Sequence, residues 1–243
     1  MEINRVYNED CIKGMERIGD KSIDFILTDL PYGVTDCKWD AVIPFDLLWK
    51  QYDRIIKDNG AVVLFAVQPF TTKLIKSNLK NFRYCWYWKK NNKTGFAYAR
   101  YQPMRCIEDI CVFYKHAPTY NPQGLKKIEN PRARQKTNKE KDNVYKMQTL
   151  QKTFTSKYTN YPVHLLQFSN EAVNNKNRLH PTQKPLALCE YLIKTYTNAG
   201  DTVLDSCAGS GTTLLAAKNT GRQYIGFELD TGYYNIAVER LSA

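Results

Sequence analysis

The sequence predicts an α/β protein built on a mostly parallel, twisted sheet with helices on both faces. Apolar runs at 23–27 and 61–67 are too short for helices and read as buried strands, and 201–205 reads as a third strand. Amphipathic stretches with helical spacing lie between such runs. A glycine-rich turn at 206–212 joins a strand to a helix. Alternation of this kind aligns the strands in parallel and packs the intervening helices on the sheet faces.

Residues 3–8 alternate weakly and are expected to form a short strand. Asn8, Glu9, Asp10 and Cys11 make a turn and N-cap for a helix reaching Ile18. After a turn at 19–22, the strand at 23–27 delivers Thr28-Asp29-Leu30-Pro31-Tyr32-Gly33. This places an acid, a rigid backbone turn and an aromatic ring at a strand end. Ligands of open α/β sheets bind beyond the carboxyl ends of strands, so the stretch is the first candidate site. Polar residues 33–43 form a loop over it, with Trp39 packing the loop down. Pro44 opens a helix to Lys57 with Phe45, Leu48, Trp49, Tyr52, Ile55 and Ile56 as its apolar stripe. Asp58, Asn59 and Gly60 end it. A helix follows Pro69, and strands are expected at 82–88 and 107–114. The aromatic run Tyr84-Cys85-Trp86-Tyr87-Trp88 suits a strand packed on both faces better than a base-stacking platform.

From 116 to 179 the texture changes to Asn, Gln, Lys, Thr and Pro. Twelve cationic residues stand there against four acids, which is eight of the chain's net charge of +11. Lys126, Lys127, Arg132, Arg134, Lys136 and Lys139 begin the series, and Tyr120, Tyr145, Phe154, Tyr158 and Tyr161 interleave with it. Phosphates attract the cations, and bases can stack on the rings. Long loops inside compact domains are usually functional or disordered. The segment is therefore expected to contact DNA, with one strand inside it at 161–168.

The remainder opens on His180-Pro181-Thr182-Gln183-Lys184-Pro185 and a helix carrying Leu186, Leu188, Leu192, Ile193 and Tyr196. The strand at 201–205 then runs into Ser206-Cys207-Ala208-Gly209-Ser210-Gly211-Thr212, a helix at 213–219, a strand at 224–227, Glu228 and a last helix. Strand, glycine turn, helix, strand and acid make a nucleotide-binding βαβ pattern. Its glycines allow close backbone approach, and the helix N-terminus offers free N–H groups. Glu228 follows Asp205 by 23 positions, near the usual spacing for an acid that binds ribose hydroxyls. The loop departs from GxGxxG and no GxxxxGK[ST] occurs. The pattern suits a ligand with a ribose and a charged amino-acid tail but no phosphate.

Composition bounds the function. A chain of 243 residues with pI about 9.2 holds one core, or a core with an insertion, and its basic excess favours a polyanionic partner, nucleic acid before membrane. Seven scattered cysteines form no CxxC pair, so no metal site is expected and a reducing cytoplasm is. Residues 1–8 lack the apolar core of a signal peptide, and the run at 61–67 is too short to span a bilayer.

Together these stretches resemble the amino-methylating DNA methyltransferases that use S-adenosylmethionine. Asp29-Leu30-Pro31-Tyr32 is similar to their catalytic Asp-Pro-Pro-Tyr. Residues 205–212 look like their Asp-Pro-Phe-x-Gly-Ser-Gly-Thr cofactor loop, and 180–185 resemble the segment before it. The order of catalytic motif, basic insertion and cofactor loop is the permuted arrangement of the β class.

The resemblance implies a Rossmann-like methyltransferase fold. Residues 1–115 become the catalytic half, 116–179 a target-recognition insertion, and 180–243 the cofactor half. It implies that Asp29 and the Leu30 carbonyl accept the N–H bonds of a flipped base, that Pro31 keeps Leu30 extended, and that Tyr32 stacks on the base. Asp205, Ser206, Cys207, Ala208, Gly209, Ser210, Gly211 and Thr212 would hold the methionine part, with Thr182 and Lys184 reaching its carboxylate. Glu228 would bind the ribose, and Asp10 and Cys11 would border the adenine. Adenine N6 in double-stranded DNA is the expected target, because relatives acting on cytosine N4 more often carry serine in place of Asp29. An N4-cytosine enzyme and an inert nucleic-acid-binding relative are the rival readings. The family's habits add a second copy of the chain and a cognate restriction endonuclease as partners, in a bacterial, phage or archaeal cytoplasm. Leu30 departs from the family's first proline, and Ser206-Cys207 from its Pro-Phe.

Overall fold

The structure, a computed structural model, describes residues 1–33, 41–135, 153–169 and 183–242, with backbone alone at 133–135 and 153–154. Trp39, Lys136, Lys139 and Thr182 lie outside the described residues. Compactness divides the chain into Met1–Asn121 with His164–Ala243, and Pro122–Val163.

The larger unit is an eight-stranded sheet between two helical layers. Its strands are β1 (Arg5–Tyr7), β2 (Ile23–Asp29), β3 (Ile56–Ala66), β4 (Phe82–Thr94), β5 (Arg105–Phe113), β10 (Leu165–Gln167), β11 (Thr202–Asp205) and β12 (Gln223–Phe227). The order across the sheet is β1-β12-β11-β2-β3-β5-β4-β10. Seven strands run in one direction; β5 alone is antiparallel to its neighbours β3 and β4. The sequence reading places strands at 82–88 and 107–114 without this reversal. A hairpin needs no crossover helix, and none separates β4 from β5.

One face of the sheet, bearing Ile26, Val62, Leu64, Leu204 and Ile225, packs against Met15 of α1 (Cys11–Met15), Leu48, Trp49, Tyr52 and Ile55 of α2 (Phe45–Ile55), and Leu74 of α3 (Phe70–Ser77). The other face, with Phe25, Leu27, Val63, Phe65 and Val203, packs against Leu188, Leu192 and Tyr196 of α4 (Leu186–Tyr196), Leu214 of α5 (Thr212–Asn219) and Ala237 of α6 (Thr231–Ser242). Alternation along β2 and β3 thus divides the helices by chain segment. Trp86 and Trp88 are buried on the α4 face. The Trp86 indole N–H donates to the Tyr196 hydroxyl at 2.7 Å, and that of Trp88 to the Phe168 carbonyl at 2.9 Å. This part of the aromatic run is packing.

The second unit holds two antiparallel ribbons, β6 (Lys126–Lys127) with β9 (Tyr158–Thr159), and β7 (Ala133–Gln135) with β8 (Thr153–Thr155). It is shorter than the expected 116–179 insertion. Residues 164–169 return to the sheet, where β10 pairs parallel with β4 instead of forming a strand inside the insertion.

Close backbone packing sets two glycines apart. A Cβ on Gly226 would lie 2.4 Å from Leu214 Cδ1, whereas one on Gly19 would meet nothing nearer than 3.9 Å. Gly226→Ala is therefore expected to destabilise the protein by about 1–3 kcal/mol. Gly19→Ala should change stability by less than about 0.5 kcal/mol. Urea unfolding of the two variants checks the pair.

Candidate active site

The chain reverses its winding between β11 and β2. From β11 the connection through α5 leads outward to β12; from β2 the connection through α2 leads the other way to β3. The two strands lie side by side, with Val203 opposite Phe25 and Leu204 opposite Ile26. Their carboxyl ends open the crevice in which doubly wound sheets bind ligands. Asp29 ends one and Asp205 the other, so motifs far apart in sequence share a wall. The Ser206 N–H donates to Thr28 Oγ1 at 3.1 Å, and the Ser206 and Tyr52 hydroxyls lie 2.6 Å apart.

On the β2 side, Tyr32 OH donates to Asp29 Oδ1 at 2.7 Å, and the Tyr32 ring lies 4.9 Å from that of Phe70. Asp29 Oδ2 pairs with Lys184 Nζ. About a quarter of the Asp29 side chain, 26%, meets solvent, and the rest is packed against its neighbours. Burial there raises its pKa, and the Lys184 charge opposes the rise only in part. Leu30 is buried, and its side chain joins the α1–α3 face. Gly33 ends the turn with φ of 67°, in the left-handed region that suits glycine.

Lys184 turns toward Asp29, and its second partner is Glu108 of β5, with Nζ 2.9 Å from Oε1. Glu108, 3% exposed, also pairs through Oε2 with Lys90 of β4. Burial disfavours charge on Glu108, but the two lysines outweigh it and lower its pKa. Glu108 and Lys90 escape a reading of the sequence, because neither belongs to a motif and only the β4–β5 pairing brings them here.

On the β11 side, the turn is built for close approach. Gly209 and Gly211 have φ of 52° and 77°, and a Cβ on Gly211 would lie 3.0 Å from Ala237 Cβ. Arg240 braces the turn by donating to the Ser210 carbonyl at 3.1 Å and to Thr212 Oγ1 at 2.9 Å. Glu228 Oε2 accepts the Gly209 N–H at 2.7 Å and Oε1 the Asp230 N–H at 2.8 Å. Ala208 and Ser210 are buried within the turn. Asp205, 3% exposed, accepts the Cys207 N–H at 3.1 Å, and no cation pairs with it among the described residues. Burial pushes its carboxyl up to about 7 against that hydrogen bond. Thr213 and Thr28 also favour its charged form, but a buried acid with no cationic partner among the described residues, beside a glycine turn, fits a cationic ligand.

Asp10 and Cys11 do not end β1, which stops at Tyr7. Asp10 caps α1, accepting the Lys13 N–H at 3.0 Å, and Cys11 lies beside Cys207. Asn8 fastens the end of β12 by donating to the Glu228 carbonyl at 2.8 Å. Gln183 accepts from the Ser210 hydroxyl at 3.4 Å, so neighbouring residues 183 and 184 reach opposite walls of the crevice.

A surface absent from the sequence expectations rises from the same edge. β4 runs parallel to β2 and passes Asp29's level by roughly 20 Å before turning. Residues 89–105 carry five cations and no acid, and Phe96, Tyr98 and Tyr101 at the tip are 82%, 61% and 86% exposed. Of the expected DNA contacts, Lys126 and Lys127 stand exposed on β6 and Arg132 is exposed, while Arg134 lies on β7.

No described helix is long and apolar enough to cross a membrane. The chain is 30% identical to the Type II methyltransferase M.HpaI of Haemophilus parainfluenzae over 98% of its own length and 74% of the relative's. It is 28% identical to the Type II methyltransferase M1.MboII of Moraxella bovis over 98% and 96%. A solved M1.HpyAVI–SAM complex superposes with a TM-score of 0.66 at 26% identity, covering 98% of this chain and 99% of that one. The cytosine-N4-specific PvuII DNA methyltransferase shares the fold, with a TM-score of 0.70 at 18% identity over 97% and 85%. The sequence model of the DNA methylase family N6_N4_Mtase matches residues 23–239, and with that match the chain belongs to the amino-methylating DNA methyltransferases, enzymes of Rossmann-like α/β fold.

Proposed function

We propose that this chain transfers a methyl group from S-adenosylmethionine to the N6 amino group of adenine in double-stranded DNA. The observation that carries the reading is the shared crevice, with Asp29 and Leu30 on one wall and Asp205 and the glycine turn on the other. Asp205 and the backbone of 206–212 would hold the methionine part of the cofactor, and Glu228 its ribose. When bound, the cofactor supplies a methyl group on a cationic sulfur.

The chain's own residues prepare the nucleophile. A base amino nitrogen is a weak nucleophile because its lone pair is delocalised into the ring. Asp29 accepts one of its N–H bonds and the Leu30 carbonyl the other, which favours a pyramidal nitrogen with its lone pair turned to the methyl group. With the methyl group supplied by the cofactor, Asp29 would accept the surplus proton of the amino group and pass it to water. The raised pKa of Asp29 suits a group that receives this proton. Each Asp29 oxygen keeps a second lone pair beside the one engaged by Tyr32 or Lys184. Tyr32 is half-buried, and stacking on it offsets part of the cost of extruding the base, about a few kcal/mol. Positioning and electrostatics supply the rate, with no covalent intermediate.

The exposed cations of β6 and the aromatic tip of the β4–β5 hairpin are the DNA-contacting surfaces in this reading. Removing a cation that neutralises a phosphate should flatten the salt dependence of binding. Lys93→Glu with Arg100→Glu is expected to weaken DNA binding about 10-fold or more and to reduce the salt slope by about 2. Filter binding across a salt series measures both.

Asp29→Ala should reduce transfer by about 10³-fold or more while cofactor binding persists. Labelled S-adenosylmethionine, unmethylated DNA and nucleoside analysis of the product test this and the target base. Label on cytosine N4 would replace the adenine assignment, and no transfer to any DNA would defeat the enzyme reading.

Asp205 gives a pH prediction. Its folded pKa of about 7 lies above the ordinary carboxylate value. As pH rises from about 4 to 7 the unfolded chain releases this proton and the folded one retains it, so folded stability falls across that window. Asp205→Asn removes the penalty. The variant should gain stability over wild type at pH 8 by roughly 1–3 kcal/mol more than at pH 5. Thermal unfolding without cofactor at the two pH values reads the difference, and cofactor affinity should rise toward pH 8 in wild type but not in the variant.

A further inference from the structure

We infer that Lys184 is the positioning residue of Asp29, and that Glu108 and Lys90 hold Lys184 in that role. The inference rests on the proposed part of Asp29 as acceptor of the target amino group. It departs from the expectation that Lys184 grips the cofactor's carboxylate.

The geometry starts from Nζ of Lys184, whose side chain is 10% exposed. One N–H is spent on Asp29 Oδ2. Glu108 Oε1 lies 2.9 Å from the same nitrogen but is buried with no aligned hydrogen bond. The Phe65 ring centre stands 5.0 Å from Nζ. The lysine is thus hydrogen-bonded to Asp29 and charge-balanced by Glu108. Lys90 supplies the second cation that Glu108 requires. The four groups alternate in sign from β4 through β5 and the segment leading into α4 to the end of β2.

Alternation of this kind has two consequences. A cation between two buried carboxylates keeps its proton, so Lys184 is neither a base nor a proton carrier. Its pKa is raised, because Asp29 and Glu108 outweigh burial. Its service is to fix Oδ2 of Asp29 and to hold the carboxylate ionised in a low-dielectric site. Glu108 meanwhile shares the cation, so Asp29 is not neutralised as an acceptor. A cofactor carboxylate at the same nitrogen would make a third anion around one charge.

Removing Lys184 leaves Asp29 facing burial and the Glu108 charge, both of which disfavour ionisation. The other titratable groups nearby are Tyr32 on the same turn, Asp205 on β11, Cys189 on α4 and Lys90 on β4. All remain in a Lys184 variant, so a difference between profiles isolates the lost cation. The acid limb of kcat must then move to higher pH.

The test compares wild type, Asp29→Ala, Lys184→Met, Lys184→Arg and Glu108→Gln, reading kcat against pH on unmethylated DNA and the Kd of S-adenosylmethionine. Lys184→Met is expected to lose about 10²-fold in kcat at neutral pH, the scale of a misplaced catalytic group. Its acid limb should rise by roughly 1 pH unit or more, and its cofactor Kd should stay within about threefold of wild type. Lys184→Arg should restore part of kcat and return the limb. Glu108→Gln should lower kcat less than Lys184→Met does. Should Lys184→Met fail to fold, Lys184→Met with Glu108→Gln removes the carboxylate left without its second cation and carries the same expectations for kcat and cofactor Kd, with a smaller rise of the acid limb. A variant with wild-type kcat and limb but a cofactor Kd weakened 10-fold or more would make Lys184 a cofactor ligand and overturn the inference. An active Asp29→Ala would overturn the site reading and this inference with it. An inactive Asp29→Ala beside an unchanged Lys184→Met would overturn this inference alone.

Discussion

The parallel pairing of β2 with β11 is the contact on which the site depends. It joins Val203 to Phe25 and Leu204 to Ile26, and its last link is the Ser206 N–H on Thr28 Oγ1, across 178 positions of sequence. Parallel neighbours need a long connection, and here the connection is most of the chain. Because the winding diverges from this pair, no crossover helix covers its carboxyl ends. The crevice is a product of topology. The side chains that line it follow from which residue each strand happens to end on, Asp29 in one case and Asp205 in the other.

The two acids meet opposite electrostatic treatment. Asp29 has Lys184 and a tyrosine hydroxyl, while Asp205 has a backbone N–H partner and, among the described residues, no cation. An acceptor of neutral N–H bonds must stay charged while unliganded, so it needs a fixed counter-charge. In the proposed reading Asp205 meets a cationic ligand and gains by lacking a fixed cation, since the ligand then supplies the neutralisation and its binding relieves the cost of a buried charge. Desolvation costs both acids heavily. A built-in cation offsets that cost at Asp29, whereas at Asp205 burial pushes the carboxyl up to about 7.

The strands of the core and both turns were legible in the sequence because each is local. Residues 23–27 are apolar but for Asp24, Val203 and Leu204 make a short apolar pair between polar ends, and Gly209 and Gly211 mark left-handed backbone. The reversal of β5 was not legible, since apolar content fixes that a segment is a strand but not its direction. β10 reads as part of the insertion because its edge position leaves Leu165 and Gln167 exposed, and only Leu166 carries the buried pattern. The Lys90–Glu108–Lys184 series was illegible for a different reason: three charged residues from separate segments look like solvated surface until pairing brings them under one roof. The exposed hairpin aromatics gave a signal, an acid-free stretch with three rings at 96–101, which the larger charge of 116–179 obscured.

The departures at 30 and 206–207 show what the motifs ask of their residues. A proline at 206 would carry no N–H, and Thr28 would lose a donor. With serine there, the N–H meets Thr28 Oγ1 and the hydroxyl meets Tyr52 of α2 at 2.6 Å. The polar atoms that serine adds are thus satisfied by Thr28 and Tyr52, and the substitution ties the glycine turn to β2 and α2 where proline would only stiffen it. Leu30 works by other means. Its side chain is buried on the α1–α3 face, so packing holds the segment that a first proline would hold by its ring, and its carbonyl is retained. In the proposed reading the backbone acceptor at 30 and the backbone path at 206 are what the chemistry uses. Side chains at both positions are free to change so long as each change brings its own partner into the core.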